Sequence, residues 1–381
     1  MFAGVLQDSF MPSERVDLAS LSVEALTDFV TQSLGEKAFR AKQLFRWIHQ
    51  RGATSFDEMT DLSKPLRAQL AERAELKGLT KDLEQRSIDG TIKYRWKTED
   101  GKLIESVYMP SPERKTLCVS TQVGCAMGCR FCATATLGLM RNLTASEIVA
   151  QVHAVNREVR VNEKTTGPQA LRPLTNLVFM GMGEPLHNFE NLKTALSILE
   201  HEDGPNFSSR HITVSTVGLV PMIERFGQET DVKLAISLNA SNDETRDRIM
   251  PVNKKWKIAD LMEACRKFPL KQGRRITFEY VLMEGVNDSD EDAERLAVLL
   301  REVPAKVNLI QYNENPGLGF HTTVNDRAER FRHALDRAGV AAFIRANRGR
   351  DIAAACGQLA NTQNDRTFVS LDAKKAANAD P

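Results

Sequence analysis

Between about Leu18 and Leu79 the apolar positions recur at helical spacing, and Gly35, Gly52 and the Ser63-Lys64-Pro65 break cut the pattern into several short helices. The stretch KAFRAKQLFRWIHQR (37–51) is the clearest case. Ala41, Leu44, Phe45 and Ile48 fall on one side, and Lys37, Arg40, Lys42, Arg46 and Arg51 line the outside with no acid among them. The reading is a small helical domain over 1–80. The period then shortens to two in SIDGTIKYRWKT, KLIESVYMP and KTLCVSTQ, with turn signals at Asp89-Gly90 and Asp100-Gly101, which predicts an antiparallel connector over 81–117. From Cys118 onward short apolar runs (TNLVFMG, HITVSTVG, VKLAISLNA, RITFEYVLM, KVNLIQYN, VAAFIRA) alternate with amphipathic stretches such as ASEIVAQVHAVNREV and DAERLAVLLREV. Such alternation predicts an α/β domain over 118–360, its parallel strands joined by crossover helices as a barrel or an open doubly wound sheet. Residues 361–381, ending DAKKAANADP, are polar and small and read as a flexible tail.

Composition narrows the function classes. With 381 residues and 42% hydrophobic content the chain can bury a full core. A net charge of +1 means that affinity for a polyanion must come from local patches: the basic helix, Lys254-Lys255, Arg274-Arg275, and Arg345, Arg348 and Arg350. For the helix, a solvated face is the competing reading. The sequence has no apolar run of membrane-spanning length, and its first residues lack the basic-then-apolar pattern of a secretory signal, so the expectation is a cytoplasmic protein that does not engage membranes. Six cysteines are too sparse for a disulfide scaffold, and clustered ones suggest metal or catalysis.

Three cysteines cluster in GCAMGCRFCATA: Cys125, Cys129 and Cys132, with Gly124 and Gly128 to let the backbone wrap tightly. A structural zinc site wants four protein ligands, and the next cysteine, Cys265, shares helical spacing with Leu261, Met262 and Phe268 and reads as core. Three thiolates suit a [4Fe-4S] cluster whose remaining iron stays open to an outside ligand, with Phe131 shielding it. Zinc completed by a distant histidine is the alternative.

The loop CAMGCRFC resembles the signature of the radical S-adenosylmethionine (SAM) enzymes. That resemblance implies a partial (β/α)6 barrel, a [4Fe-4S] cluster and SAM bound at the open iron. GMGEP (181–185), closing an apolar strand, is similar to the motif that binds the methionine amino group through Gly183 and Glu184. Cys118, GMGEPLHN, YNENPG and NRGRDIAAACGQL, in this order after a helical region, resemble the bacterial RNA adenine-C2 methyltransferases of the RlmN/Cfr family, over almost the whole chain except its ends. By that resemblance Ser215, Ser237, Leu238, Asn239 and Asn313 contact SAM. Cys356 carries a methyl group from one SAM, a second SAM activates it, and a covalent RNA adduct is resolved by Cys118 through a disulfide. Glu105 matches the proton acceptor. On its own strand Glu105 shares a face with Leu103, Val107 and Met109, an apolar row that favours a protonated carboxyl, although an edge-strand acid paired with an arginine is an equal reading. The implied partners are 23S rRNA near the peptidyl transferase centre, tRNA at the adenosine 3′ of the anticodon, and an electron donor such as flavodoxin; the protein is expected to be a monomer. Methylation at carbon 8, or a non-catalytic metal-bearing RNA-binding module, are the rival readings.

Overall fold

The computed structural model describes residues 15–163 and 173–360. The expected tail and the first 14 residues lie outside the described residues. In the amino-terminal region β1 (Val16–Asp17) and β2 (Ala74–Glu75) pair in parallel and close a set of short helices, among them Phe39–Phe45 and Lys64–Arg73. Ser63 caps the latter helix by accepting from Leu66 N–H, with a proline in its first turn, so the Ser-Lys-Pro break is a helix start. Ala41, Leu44, Phe45 and Ile48 are buried as the periodicity predicts. They belong to an apolar core that continues into the sheet.

Beyond this region β3 (Thr80–Arg86), β4 (Ile92–Lys97) and β5 (Leu103–Pro110) form an antiparallel meander. Its turns carry Gly90 and Gly101 at φ 84° and 78°, values a side chain would resist. The meander continues the sheet of the α/β region: β5 pairs with β6 (Lys115–Cys118), and β6 pairs in parallel with β9 (Asn176–Phe179). β6 therefore belongs to the parallel sheet, and the expected boundary after residue 117 falls inside it. Between β6 and β9, β7 (Gln122–Gly124) and β8 (Leu139–Asn142) make a separate antiparallel pair around the cysteine loop.

The parallel run proceeds through β10 (Ile212–Thr216), β11 (Lys233–Ser237), β12 (Ile276–Leu282) and β13 (Ala305–Gln311), six strands counted from β6, and adds the short β14 (Ala342–Arg345) at its far edge. Helices such as Ala145–Glu163, Phe189–Glu200, Val220–Glu229 and Asp290–Leu300 make the crossovers, as the alternation predicts. Among the described residues no helix is long and apolar enough to cross a membrane.

Candidate active site

The cysteine loop is built by local backbone. Gly124 sits at φ 78°, and a Cβ there would lie 1.8 Å from the Gly138 carbonyl oxygen, the same oxygen that accepts from Cys125 N–H at 2.9 Å. Cys132 N–H closes a turn onto Cys129 O, and Arg130 N–H is tied to Ile249 O. Burial pushes the Cys125 thiol up to about 12, against a backbone N–H from Met127, and pushes Cys129 well above its ordinary value. Such thiols ionise only when a cation replaces the lost hydration, which is the setting of a metal ligand. Among the described residues no three His, Cys, Asp or Glu side chains gather tightly enough for one ion. Three thiols on one short loop, Cys129 and Cys132 of them on the cavity, fit a cluster that takes each on a different iron. Phe131 is buried over this loop, and Cys265 is core, as expected.

Opposite the loop, the carboxyl ends of the parallel strands line a cavity of about 150 Å³ that also reaches Cys129, Cys132 and Cys356. Gly183, at φ 102°, lets the chain pass Gln122: a Cβ would meet the Gln122 Cβ at 2.6 Å. Glu184 is buried, and its carboxylate accepts from Leu186 N–H at 3.0 Å and Val217 N–H at 2.9 Å. Burial pushes this carboxyl up to about 7 against those donors, so a cationic ammonium arriving there would restore its charge. Ser215 and Ser237 touch across neighbouring strands at 3.2 Å. Asn239 adopts φ 57°, lines the cavity, and fixes β12 by accepting from Val281 N–H. Asn313 is buried with both side-chain polar atoms unpartnered, a cost that a ligand's polar groups would relieve. These features fit a polar, zwitterionic cofactor. Leu238 is buried and lies outside the cavity lining; its N–H goes to Glu279 O, and its carbonyl accepts from Arg246.

The third wall is the segment 349–360, an irregular strap carrying Cys356. Asp351 accepts from Ser87 Oγ at 2.6 Å and Ile88 N–H at 3.1 Å, and Asp89 accepts from Gly349 N–H at 3.0 Å. Lys93 donates to Ala353 O, Ala133 N–H donates to Gly357 O, and Thr134 Oγ1 donates to Leu359 O. Cys356 is exposed and lines the cavity, where local desolvation with the nearby Glu279 pushes its thiol up to about 11 against Arg345. Cys118, at the end of β6, is buried, and burial and then Cys356 raise its thiol, which places the two sulfurs as electrostatic neighbours 238 positions apart in sequence. Both are free thiols.

Glu105 lies on the interior strand β5, beneath this strap rather than on the cavity lining. Its Oε2 accepts from Ala360 N–H at 3.1 Å, and Oε1 is 3.7 Å from Lys93 Nζ. The edge-strand reading is thus corrected: β5 has neighbours on both sides, and the ammonium beside Glu105 belongs to a lysine. The basic helix is also rearranged, since Lys42 and Arg46 are both paired with Asp203 at 3.0 and 2.7 Å and hold the helical domain to the α/β region.

Sequence reasoning missed two buried residues. Glu279 on β12 lines the cavity beside Cys356 and is held by Asn308 Nδ2 at 2.8 Å; burial raises its carboxyl against that donor. An acid inside the apolar run RITFEYVLM was the available signal. Arg246, fully buried, donates to Leu238 O, Val217 O and Asn253 and so knits the loops after β10 and β11. Nothing in ETRDRIM distinguishes it from a surface arginine.

The α/β sheet, its strand-end cavity and the three-cysteine loop agree with the comparisons. Residues 119–297 match the Radical SAM superfamily, and residues 16–76 match the ribosomal RNA large subunit methyltransferase N-terminal domain. A crystal structure of a radical SAM methyltransferase from Sphaerobacter thermophilus superposes with a TM-score of 0.84 at 47% identity, covering 90% of this chain and 99% of that one. Fold and site therefore define a radical SAM enzyme, using a [4Fe-4S] cluster and SAM. The dual-specificity RNA methyltransferase RlmN 2 of Myxococcus xanthus is 75% identical over 92% of each chain, and the RlmN of Anaeromyxobacter dehalogenans is 62% identical over 90% of this chain and 91% of its own. The chain belongs to the RlmN family of methyltransferases.

Proposed function

We propose that this enzyme methylates carbon 2 of adenosine in 23S rRNA at the peptidyl transferase centre and in tRNA at the adenosine 3′ of the anticodon. The observation that carries the reading is the meeting of Cys356 and the cysteine loop, through Cys129 and Cys132, around one cavity, with the buried Cys118 close enough to Cys356 to feel its charge. Carbon 2 sits on an electron-poor ring and cannot attack a sulfonium methyl, so the methyl has to arrive by another route. Cys356 provides it: its thiol loses a proton, and its sulfur takes the methyl from one SAM as the methyl–sulfonium bond breaks. When bound, the cluster held by Cys125, Cys129 and Cys132 supplies the electron that splits a second SAM into methionine and a 5′-deoxyadenosyl radical.

Gly183, Glu184, Ser215, Ser237, Leu238, Asn239 and Asn313 are the proposed SAM contacts, with Glu184 facing the ammonium. The Cys356 S-methyl group gives up a hydrogen atom, and its carbon then joins carbon 2. The ring gives up its proton and returns one electron to the redox centre that supplied it, and the Cys118 thiolate attacks the Cys356 sulfur; the sulfur–methylene bond breaks, its electron pair takes up a proton to complete the methyl group, and a Cys118–Cys356 disulfide is left for an external dithiol to reduce. Glu105, already bonded to the strap that carries Cys356, is the proposed acceptor of the ring proton, and Cys118 is its rival. Unstacking the target adenine favours loop adenosines in either RNA. The protein is read as a cytoplasmic monomer drawing electrons from a flavodoxin-like donor.

The test is mass analysis of the Cys356 peptide from anaerobically reconstituted protein. A methyl on Cys356, its loss in Cys356→Ala, and a trapped RNA adduct in Cys118→Ala are the expected results. An unmodified peptide after SAM incubation overturns the mechanism, and 8-methyladenosine in RNA digests overturns the carbon-2 assignment.

A further inference from the structure

A second cavity, of about 230 Å³, lies at the seam between the amino-terminal helices and the α/β region and shares no lining residue with the first. His49 and Arg51 enter from the helical side; His153, Arg157 and Arg160 come from the helix Ala145–Glu163. Among the described residues none of the three arginines has an ion-pair partner, whereas Lys42 and Arg46, in the same basic run, are both neutralised by Asp203. The Arg51 guanidinium is fixed over the Trp47 ring at 4.1 Å. Arg160 Nε is buried with no hydrogen-bond partner.

The histidines add a directional group. His49 is 1% exposed; its Nδ1 lies 3.3 Å from His153 Nε2, and its own Nε2 is buried and unpartnered. In the tautomer where His153 donates across that contact, His49 Nε2 offers an unsatisfied N–H at the cavity wall. One acid, Glu58, also lines the space, but its carboxylate is engaged by Thr54 and by Ser55 N–H. Three guanidinium charges against that single carboxylate leave the cavity positive. Planar donor forks and a buried N–H converging on one space suit a tetrahedral oxyanion.

We propose that this seam cavity is a phosphodiester subsite for the RNA substrate, gripping one backbone phosphate between the helical domain and the helix Ala145–Glu163. The proposal rests on the RNA-substrate reading above and deepens it. A phosphate held by both regions would fix the register of the RNA, leaving base choice to the strand-end cavity.

The experiment measures binding of a fluorescently labelled tRNA to cluster-loaded enzyme over a range of KCl concentrations. Arg157→Gln/Arg160→Gln should weaken binding roughly tenfold and make the slope of log K against log [KCl] shallower by about one, the loss of one phosphate contact. SAM-dependent methylation of Cys356 without RNA should stay at the wild-type level, and Arg157→Lys/Arg160→Lys should restore the slope. An unchanged slope overturns the proposal, as does a shallower slope that the lysine variant fails to restore. Inorganic phosphate separates the sources: competition with tRNA at constant ionic strength supports the subsite, and thermal stabilisation by phosphate without such competition assigns the cavity to a free anion and overturns it. Wild-type enzyme that loads Cys356 but binds neither tRNA nor a 23S rRNA fragment refutes the RNA-substrate reading itself.

Discussion

The cysteine loop and the Cys356 strap face one another across the same cavity, yet they are held in place by opposite means. The loop is shaped by its own neighbours: Cys125 N–H bonds Gly138 O, Cys132 N–H bonds Cys129 O, and β7 pairs with β8 across its ends. The strap has little internal structure and is tied down by Ser87, Asp89, Lys93 and Glu105, partners some 255 to 264 positions away, and by Ala133 and Thr134 just past the cysteine loop. A metal-binding loop must present its ligands before the metal arrives, so short-range geometry serves it. On the proposed mechanism the strap delivers one sulfur to both a SAM pocket and a second thiol, and contacts from distant parts of the chain place it there.

Four changes would break or sharpen this contrast. The largest effect is expected from Gly124→Ala, because the added Cβ meets the Gly138 oxygen at 1.8 Å in a left-handed backbone. A cost of about 3 kcal/mol or more, localised to the loop, should abolish iron loading, read as the iron-to-protein ratio after reconstitution. Wild-type iron content would show that the loop tolerates a side chain there. Next is Lys93→Met, which removes the buried ammonium near Glu105 and the donor to Ala353 O. Losing the hydrogen bond that this charged donor makes to the strap costs about 2 kcal/mol, so methyl loading of Cys356 should slow by roughly thirtyfold while iron content stays normal. Loss of both together would mean that strap and loop are one unit.

Ser87→Ala deletes a single hydrogen bond to Asp351, worth about 1 kcal/mol, and should lower hydrogen-exchange protection of the strap about fivefold. The smallest effect is with pH. Despite partial burial, the Thr91 and Gly349 N–H groups hold the Asp89 carboxyl down at about 2 from an ordinary 3.8. Its folded value lies below its unfolded one, so its contribution is full above about pH 4 and is lost as pH falls toward 2. Exchange at Gly349, corrected for its intrinsic rate, should accelerate over that window. A protection factor that stays constant there would remove Asp89 from the set of tethers.

How much could be read beforehand follows the same division. The cysteine spacing, the Asp-Gly turns, the Gly-rich strand end before Glu184 and the strand–helix alternation were all legible, because each is imposed by residues a few positions apart. The basic helix was legible as a helix with a buried apolar face. Its charges were not, since nothing near Lys42 and Arg46 in the chain announces Asp203. Glu105 was legible only as one of two equal readings, a buried acid or an edge-strand acid paired with an arginine, and Lys93 and Ala360 came to it only through the pairing of β4 with β5 and the return of the strap.

The sequence by itself thus determined the class of chemistry, because three thiols within eight residues and a glycine-flanked acid closing a strand constrain a metal and its ligand at short range. Only the tertiary structure decided which residues tether the strap, which cations stay free to take an anion, and where Glu279 and Arg246 sit. Those outcomes depend on strand order and on the course of a loop around the sheet, and pairings of that length leave no local trace in the chain.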